Sequence, residues 1–393
     1  GVGDLQTSSA MAMNAGIDMD MVGEGFLTTL KKSLSEKKIT IQQIDKAVRL
    51  ILEAKYKLGL FENPYLYTDL DRAKTEVYTK EHRAFARSIA AQSMVLLENK
   101  NYILPLKSNG TIAVIGPLAN NAENMPGTWS VAAVHANSIP IFKGLQETIT
   151  GVNFIYAKGA NVDYDAKFEA NAAMFGKNTY RDNRPVKEIL DEAVAVANKA
   201  DAVVLVLGET AEMSGESSSR TNISIPQSQL DLLKAIKATG KPIITVLLTG
   251  RPLAIPELKN ESDAILNCWF PGSEAGYAVA DVLFGKVNPS GKLPMTFPRN
   301  VGQISIYYVH KNTGRPISDA ALKSGTFEKF RSNYLDAPNT PLYAFGYGLS
   351  YTQFSYSPIQ VSKTKLKGNE TLKASITLTN KGLYDGAEVV QLY

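Results

Sequence analysis

The run Ala202-Val203-Val204-Leu205-Val206-Leu207, the stretch 227–238 that opens after Pro226, and the run Ile243-Ile244-Thr245-Val246-Leu247-Leu248 together decide the fold. The two outer runs are strand-sized and almost wholly apolar, as a strand buried on both faces must be. The middle stretch reads as a helix, with Pro226 well placed at its first turn. Working outward, strand-sized runs recur at 112–115, 154–156 and 264–266, and helical stretches at 80–97, 186–197 and 274–284. Strands alternating with helices predict an α/β fold, a mostly parallel sheet covered by helices, over residues 79–300.

The flanks read differently. Residues 1–60 are helical in pattern apart from a short strand at 17–21. Their clearest helix starts after Thr40, which can cap it, and carries Ile41, Ile44, Val48, Ile51, Leu52, Lys55 and Leu58 at helical spacing before Gly59. Residues 61–78 carry no periodic pattern and read as a linker. Residues 301–351 form a connection rich in Pro, Tyr and Gly. From 352 onward Leu372, Ala374, Ile376 and Leu378 alternate, the start of an all-β module. The first residues, Gly1-Val2-Gly3-Asp4, lead straight into a helical pattern, and the last, 388–393, read as a strand with no turn after it. The sequence therefore reads as a portion of a longer protein, and lack of a signal peptide says nothing about where that protein resides.

Composition excludes several classes. Of 393 residues 44% are hydrophobic and 20% charged, so the chain is neither disordered nor collagen-like. Forty-two Lys and Arg against 38 Asp and Glu leave +4, too small and scattered an excess for nucleic acid. Cys268 is the single cysteine, which excludes an intrachain disulfide and leaves the redox compartment open. Three dispersed histidines give no local metal site. No run approaches the roughly 20 apolar residues of a membrane helix.

Ligands of open α/β sheets bind beyond the carboxyl ends of the strands, so the loops there carry the functional reading. The loop after Leu207 holds Glu209, Glu212 and Glu216 among Gly and Ser, then Arg220. Glu216, between Gly215 and a serine run, is the carboxylate best placed for general acid or base work at a cleft. Glu209, at the strand end, is either a rival acid or a residue that holds the loop through backbone N–H groups. Arg220 favours the ionised form of any carboxylate beside it. The alternative for the whole loop is a merely solvated acidic turn. In the loop after Ile115, Trp129 offers an indole face suited to a pyranose ring, or else pins the loop to the core. Trp269 is assigned to packing. Asp18 and Asp20 share a face if 17–21 is a strand. Nucleotide binding is disfavoured: Gly272-Ser273-Glu274-Ala275-Gly276 opens a helix without a following Lys-Ser or Lys-Thr, and no GxGxxG follows the first strand.

Six strings then stand in one order: Asn14-Ala15-Gly16-Ile17-Asp18-Met19-Asp20-Met21, Val95-Leu96-Leu97 before Leu104-Pro105-Leu106, the 215–220 loop, Trp269-Phe270-Pro271-Gly272, Asn288-Pro289-Ser290-Gly291-Lys292-Leu293-Pro294, and Phe345-Gly346-Tyr347-Gly348-Leu349-Ser350-Tyr351. In this the chain resembles glycoside hydrolase family 3, and within it the beta-glucosidase group. The resemblance implies a retaining, exo-acting hydrolase built from a (β/α)8 barrel, an α/β sandwich and a fibronectin type III-like domain. Residues 1–60 would then be the end of the barrel and 352–393 a partial fibronectin type III-like domain. Glu216 aligns with the family's general acid/base, and Trp129 with the aromatic flanking the aglycone subsite.

The family's nucleophile is an aspartate in a Ser-Asp-Trp type motif, which these residues do not contain; Asp4 belongs to no such motif. The resemblance further implies no cofactor, a beta-linked oligosaccharide or aryl glucoside as substrate, and a periplasmic or secreted location. It leaves glucosidase, xylosidase and glucosaminidase activity unseparated. A non-catalytic carbohydrate-binding or scaffold protein is the other reading.

Overall fold

The computed structural model describes residues 2–392. They fall into two compact units, 2–79 and 80–392.

The first unit is helical. Helix Leu5–Asn14 starts at Asp4, whose carboxylate accepts the Thr7 N–H, so this aspartate caps a helix. Helix Ile41–Lys57 opens with a reciprocal capping box: Gln43 N donates to Thr40 Oγ1, and Thr40 N to Gln43 Oε1. Between them lies Gly25–Ser35. Ala10, Met13, Ile39 and Ala47 form the small core, with Phe26, Leu30, Leu34 and Ile44 packed on it. Two expectations change here. Residues 17–21 form no strand, since no neighbouring strand takes up their backbone groups, and Asp20 instead accepts the N–H groups of Gly23 and Phe26 at the start of the second helix. The spacing that marks helix Ile41–Lys57 is real, but Val48 and Leu52 remain exposed while Ala47 provides the buried seam.

The second unit is built on a six-stranded sheet. Its strands are β1 (Val95–Asn99), β2 (Thr111–Ile115), β3 (Asn153–Ala157), β4 (Ala202–Gly208), β5 (Ile243–Leu248) and β6 (Ala264–Trp269), in the order β1-β6-β5-β4-β2-β3. All neighbours are parallel except β1, which runs antiparallel to β6 along one edge. Alternate residues of each strand enter opposite cores. Leu96, Val114, Val204, Val206, Ile244, Val246, Leu266 and Cys268 face the helices Lys80–Ser93, Ile141–Thr148 and Ala275–Leu283. Ala113, Val203, Leu205, Leu207, Ile243, Leu247 and Ile265 face Val186–Asn198, Gln227–Lys237 and Pro256–Glu261. The result is the expected α/β sandwich, and burial on both faces explains why the strands read as unbroken apolar runs. Arg83 to Glu274 (2.7 Å) and Arg87 to Asp281 (2.5 Å) tie two helices of the first layer together.

The expected helix 80–97 ends at Ser93. Val95–Asn99 is a strand because Val95 and Leu97 fill one core and Leu96 the other, which a period of two achieves and a helix would not. The connection 301–351 is less detached than its composition suggests: Leu342 and Tyr343 are buried with Phe297, and Leu349 N donates to Leu96 O beside β1. Beyond it, Phe354–Tyr356 pairs antiparallel with Leu378–Asn380, and Gln360–Val361 with Ala374–Ser375. The alternating Leu372 and Leu378 are exposed here. Residues 388–392 form no strand, and Tyr393 lies outside the described residues. Among the described residues no helix is long and apolar enough to cross a membrane.

Cys268 is fully buried in β6, and burial pushes its thiol pKa well up. Mass spectrometry of the Cys268 peptide should show no alkylation of the native protein and complete alkylation in denaturant. Because the unfolded thiol ionises near its ordinary pKa of about 8.5 while the folded one stays protonated, this group favours unfolding progressively as the pH rises above that value.

Candidate active site

Chain order and sheet order part company between β2 and β4. The chain passes from β2 outward to β3, then returns across β2 to β4 and continues through β5 and β6. Such a reversal opens a crevice at the carboxyl ends of the two strands. The loop after β2 carries Trp129 and the loop after β4 carries Glu216, so both candidates stand at this switch point.

Glu209, the first residue after β4, is wholly buried. Its Oε1 accepts from Arg220 Nη1 at 2.8 Å and lies 3.2 Å from Arg251 Nε. Its Oε2 accepts from Thr249 Oγ1 at 2.8 Å and from Gly250 N at 3.3 Å. A carboxylate with its oxygens so occupied anchors the loop. Arg220, also bound to Ser224 O at 3.1 Å, is therefore the partner of Glu209 and forms no ion pair with Glu216.

Glu212 lies lower in the same loop. It pairs with Lys177 Nζ at 2.5 Å and accepts from Thr128 Oγ1 at 3.3 Å, and Lys177 Nζ also donates to Thr128 O at 3.0 Å. Lys177 is only 2% exposed. Asn124, fully buried, accepts from Ala211 N at 2.9 Å and donates to Asn178 O at 3.0 Å. Three segments, 121–130, 172–180 and 209–220, are thereby locked to each other.

Glu216 itself is exposed at the tip, and among the described residues its carboxylate has no hydrogen-bond or ion-pair partner. Gly215 before it has φ +109°, and a Cβ there would come within 2.4 Å of Thr128 Cγ2. That close packing sets Glu216 and Trp129 each one residue from the same contact. Trp129 is 75% exposed, so it does not pin its loop to the core. His135 Nε2, against Ser130 O at 3.1 Å, and Ser130 Oγ, donating to Gly127 O at 2.7 Å, shape that loop in its place. The arrangement presents an unpaired carboxylate and an open indole on two loops that touch at Gly215 and Thr128.

Residues 94–351 match the glycosyl hydrolase family 3 C-terminal domain. The chain belongs to glycosyl hydrolase family 3. It is 44% identical to a periplasmic beta-glucosidase of Salmonella typhimurium, over 99% of this chain and 51% of that protein. It is 35% identical to a beta-xylosidase of Formosa agariphila, over 100% of this chain and 52% of that protein. Among solved structures, a mutant beta-glucosidase from Listeria innocua in complex with laminaribiose superposes with a TM-score of 0.83 at 36% identity, covering 98% of this chain and 49% of that one. The chain thus spans about half the length of the relatives it matches.

Two strings that carry the family 3 resemblance meet in space. Asn288 Oδ1 accepts from Ser350 Oγ at 2.9 Å and Tyr351 N at 2.8 Å, and Leu293 N donates to Tyr347 O at 2.8 Å. They form a joint on the sandwich, remote in sequence and role from the Glu216 loop. Trp269 ends β6 and packs on Phe297, as its packing assignment requires.

Sequence reading missed Arg251, Lys177 and Asn124. Arg251 had a signal: Thr249-Gly250-Arg251 follows β5, at the same carboxyl edge as the two loops that were read closely. Gly250 leaves no room for a side chain, since a Cβ would stand 2.0 Å from Ser214 Oγ. Lys177 and Asn124 had none, because nothing local distinguishes a lysine or asparagine that will be buried.

The Lys177–Glu212 pair makes a separable prediction. Lys177→Met leaves a largely buried carboxylate without its cation and should cost about 3–5 kcal/mol, whereas Lys177→Met combined with Glu212→Leu should recover most of that loss. Urea unfolding of the two variants against wild type reads the difference.

Proposed function

We propose that this chain carries the general acid/base half of a retaining, exo-acting beta-glucosidase that removes nonreducing terminal beta-D-glucosyl units. The observation that carries the reading is the exposed, unpaired Glu216 on a loop that touches the loop of exposed Trp129, both at the carboxyl edge of the sheet where chain order reverses. Similarity to named beta-glucosidases supports the sugar class.

In this reading the reaction is a double displacement. An aspartate nucleophile attacks the anomeric carbon as the glycosidic C–O bond breaks, and Glu216 gives its proton to the departing oxygen. Water then attacks the glycosyl-enzyme, Glu216 takes a proton from it, and the sugar leaves with its configuration retained. Trp129 supplies an apolar face to the leaving group. The two carboxyl groups of a retaining pair stand about 5 Å apart across one bond, so Glu216 needs an opposing surface that also shields it from water. The Ser-Asp-Trp type motif expected to carry the nucleophile is not among the 393 residues, so these residues alone should not hydrolyse glycosides. Residues 1–60 are assigned to the end of the (β/α)8 barrel, 61–78 to a linker, 79–300 to the sandwich, 301–351 to a connection and 352–393 to a partial fibronectin type III-like domain. The protein is placed in the periplasm or outside the cell, after its Salmonella relative.

Assays of the full-length protein on aryl beta-glucosides and aryl beta-xylosides test this. In kcat/KM, Glu216→Ala should lose about 10²–10⁴-fold on a phenyl glycoside and much less on a dinitrophenyl glycoside, whose slowed turnover azide should restore by forming a beta-glycosyl azide. Unchanged turnover would assign the acid elsewhere. Faster hydrolysis of the xyloside would make the protein a beta-xylosidase, as its Formosa relative is named. Robust turnover by the 393 residues alone would refute the half-site reading.

A further inference from the structure

The tip that carries Glu216 has little structure of its own. Residues 214–218 include no helix or strand, and their internal hydrogen bonds are long: Ser214 N to Ala211 O at 3.4 Å and Ser218 N to Gly215 O at 3.3 Å. Gly215 and Ser217 both have positive φ. Contacts this weak do not hold a loop at one height above a cleft.

A single side chain from the loop after β5 spans the neck of this tip. Arg251 Nη2 donates to Met213 O and, at 2.8 Å, to Ser218 O, carbonyls three residues before and two residues after Glu216. The guanidinium is itself fixed from below. Its Nε lies 3.2 Å from the buried Glu209 Oε1, and its backbone N donates at 3.1 Å to Thr249 Oγ1, the hydroxyl that donates to Glu209 Oε2. A continuous path of polar contacts therefore runs from the ends of β4 and β5 to both sides of the tip. Arg220 shares Glu209 but reaches Ser224 O, past the tip, and closes only the descending limb.

We propose that Arg251 is the positioning residue for the acid/base, its guanidinium setting where Glu216 stands in the cleft. The inference rests on the acid/base reading of Glu216 and adds to it the device that aims the carboxylate. Arginine suits the task because its planar fork presents several donors from one rigid group, which an ammonium does not. A displacement of the tip by about 1 Å would cost about 10²-fold in a step that needs the carboxyl within hydrogen-bond reach of the leaving oxygen. In the first displacement the cost falls on proton donation, so there it depends on how badly the leaving group needs a proton.

That dependence gives the test. In the full-length protein, Arg251→Ala should lower kcat/KM, which reports formation of the glycosyl-enzyme, about 100-fold on phenyl beta-glucoside and far less on 2,4-dinitrophenyl beta-glucoside, whose leaving group departs without protonation. Arg251→Lys should fall between Arg251→Ala and wild type on the phenyl substrate. The ratio of the two rates on one sample is independent of the fraction folded, so a purely structural role would leave it unchanged. Equal losses on both substrates overturn the proposal. Should Arg251→Ala fail to fold, Arg251→Lys decides alone, and an unchanged ratio again overturns it. Glu216→Ala measured alongside separates the two readings. If it too shows no leaving-group dependence, the acid/base reading has failed; if it shows the dependence and the Arg251 variants do not, only the positioning role has.

Discussion

The carboxylate of Glu209 is fully buried, and it sits where β4 ends and the Glu216 loop begins. Ions in such a place are costly unless matched, and this one is matched by two arginines, a hydroxyl and a backbone N–H. Each arginine then has donors left over and directs them to loop carbonyls. One buried charge thus organises the loop 209–220, whose regular structure is limited to the short 3₁₀ helix Ala211–Met213. The whole arrangement depends on β4 and β5 being adjacent and in register, since Glu209 comes from one and Thr249, Gly250 and Arg251 from the other.

A second buried charge pair repeats the strategy on the other flank. Lys177 and Glu212 join a loop, an insertion after β3 and the Trp129 segment, with Asn124 closing the gap between them. The two anchors leave the intervening tip exposed and its carboxylate unpaired. The acid/base role proposed for Glu216 calls for such a setting: a group free to exchange a proton, carried on an anchored base. The sheet supplies the rigidity, because its central strands are buried on both faces, and the loops supply the chemistry.

Legibility in the sequence followed how local the physics is. The strands of the sandwich could be read because burial on both faces demands unbroken apolar runs, and helix Ile41–Lys57 because Thr40 can cap it and apolar residues follow at helical spacing. The run Val95-Leu96-Leu97 was misread as the end of a helix, since a short apolar run after a helical pattern is ambiguous until the two cores it fills are known. Residues 17–21 had strand composition but no partner. In the candidate site, Glu216 and Trp129 stand out by their loop setting, and Glu209 was left open between two roles that only its partners distinguish.

The sequence by itself determined the α/β class, the places of the parallel strands, the two loops that carry the candidate residues and the family they resemble. These follow from periodicity, turn residues and short strings, all of which are properties of neighbours along the chain. Tertiary structure alone decided that Arg220 serves Glu209 rather than Glu216, that Lys177 and Asn124 are buried, and that Arg251 spans the neck of the Glu216 tip. Those outcomes depend on which strands lie side by side and on which charges lose their water when they do, and neither is encoded at any single position.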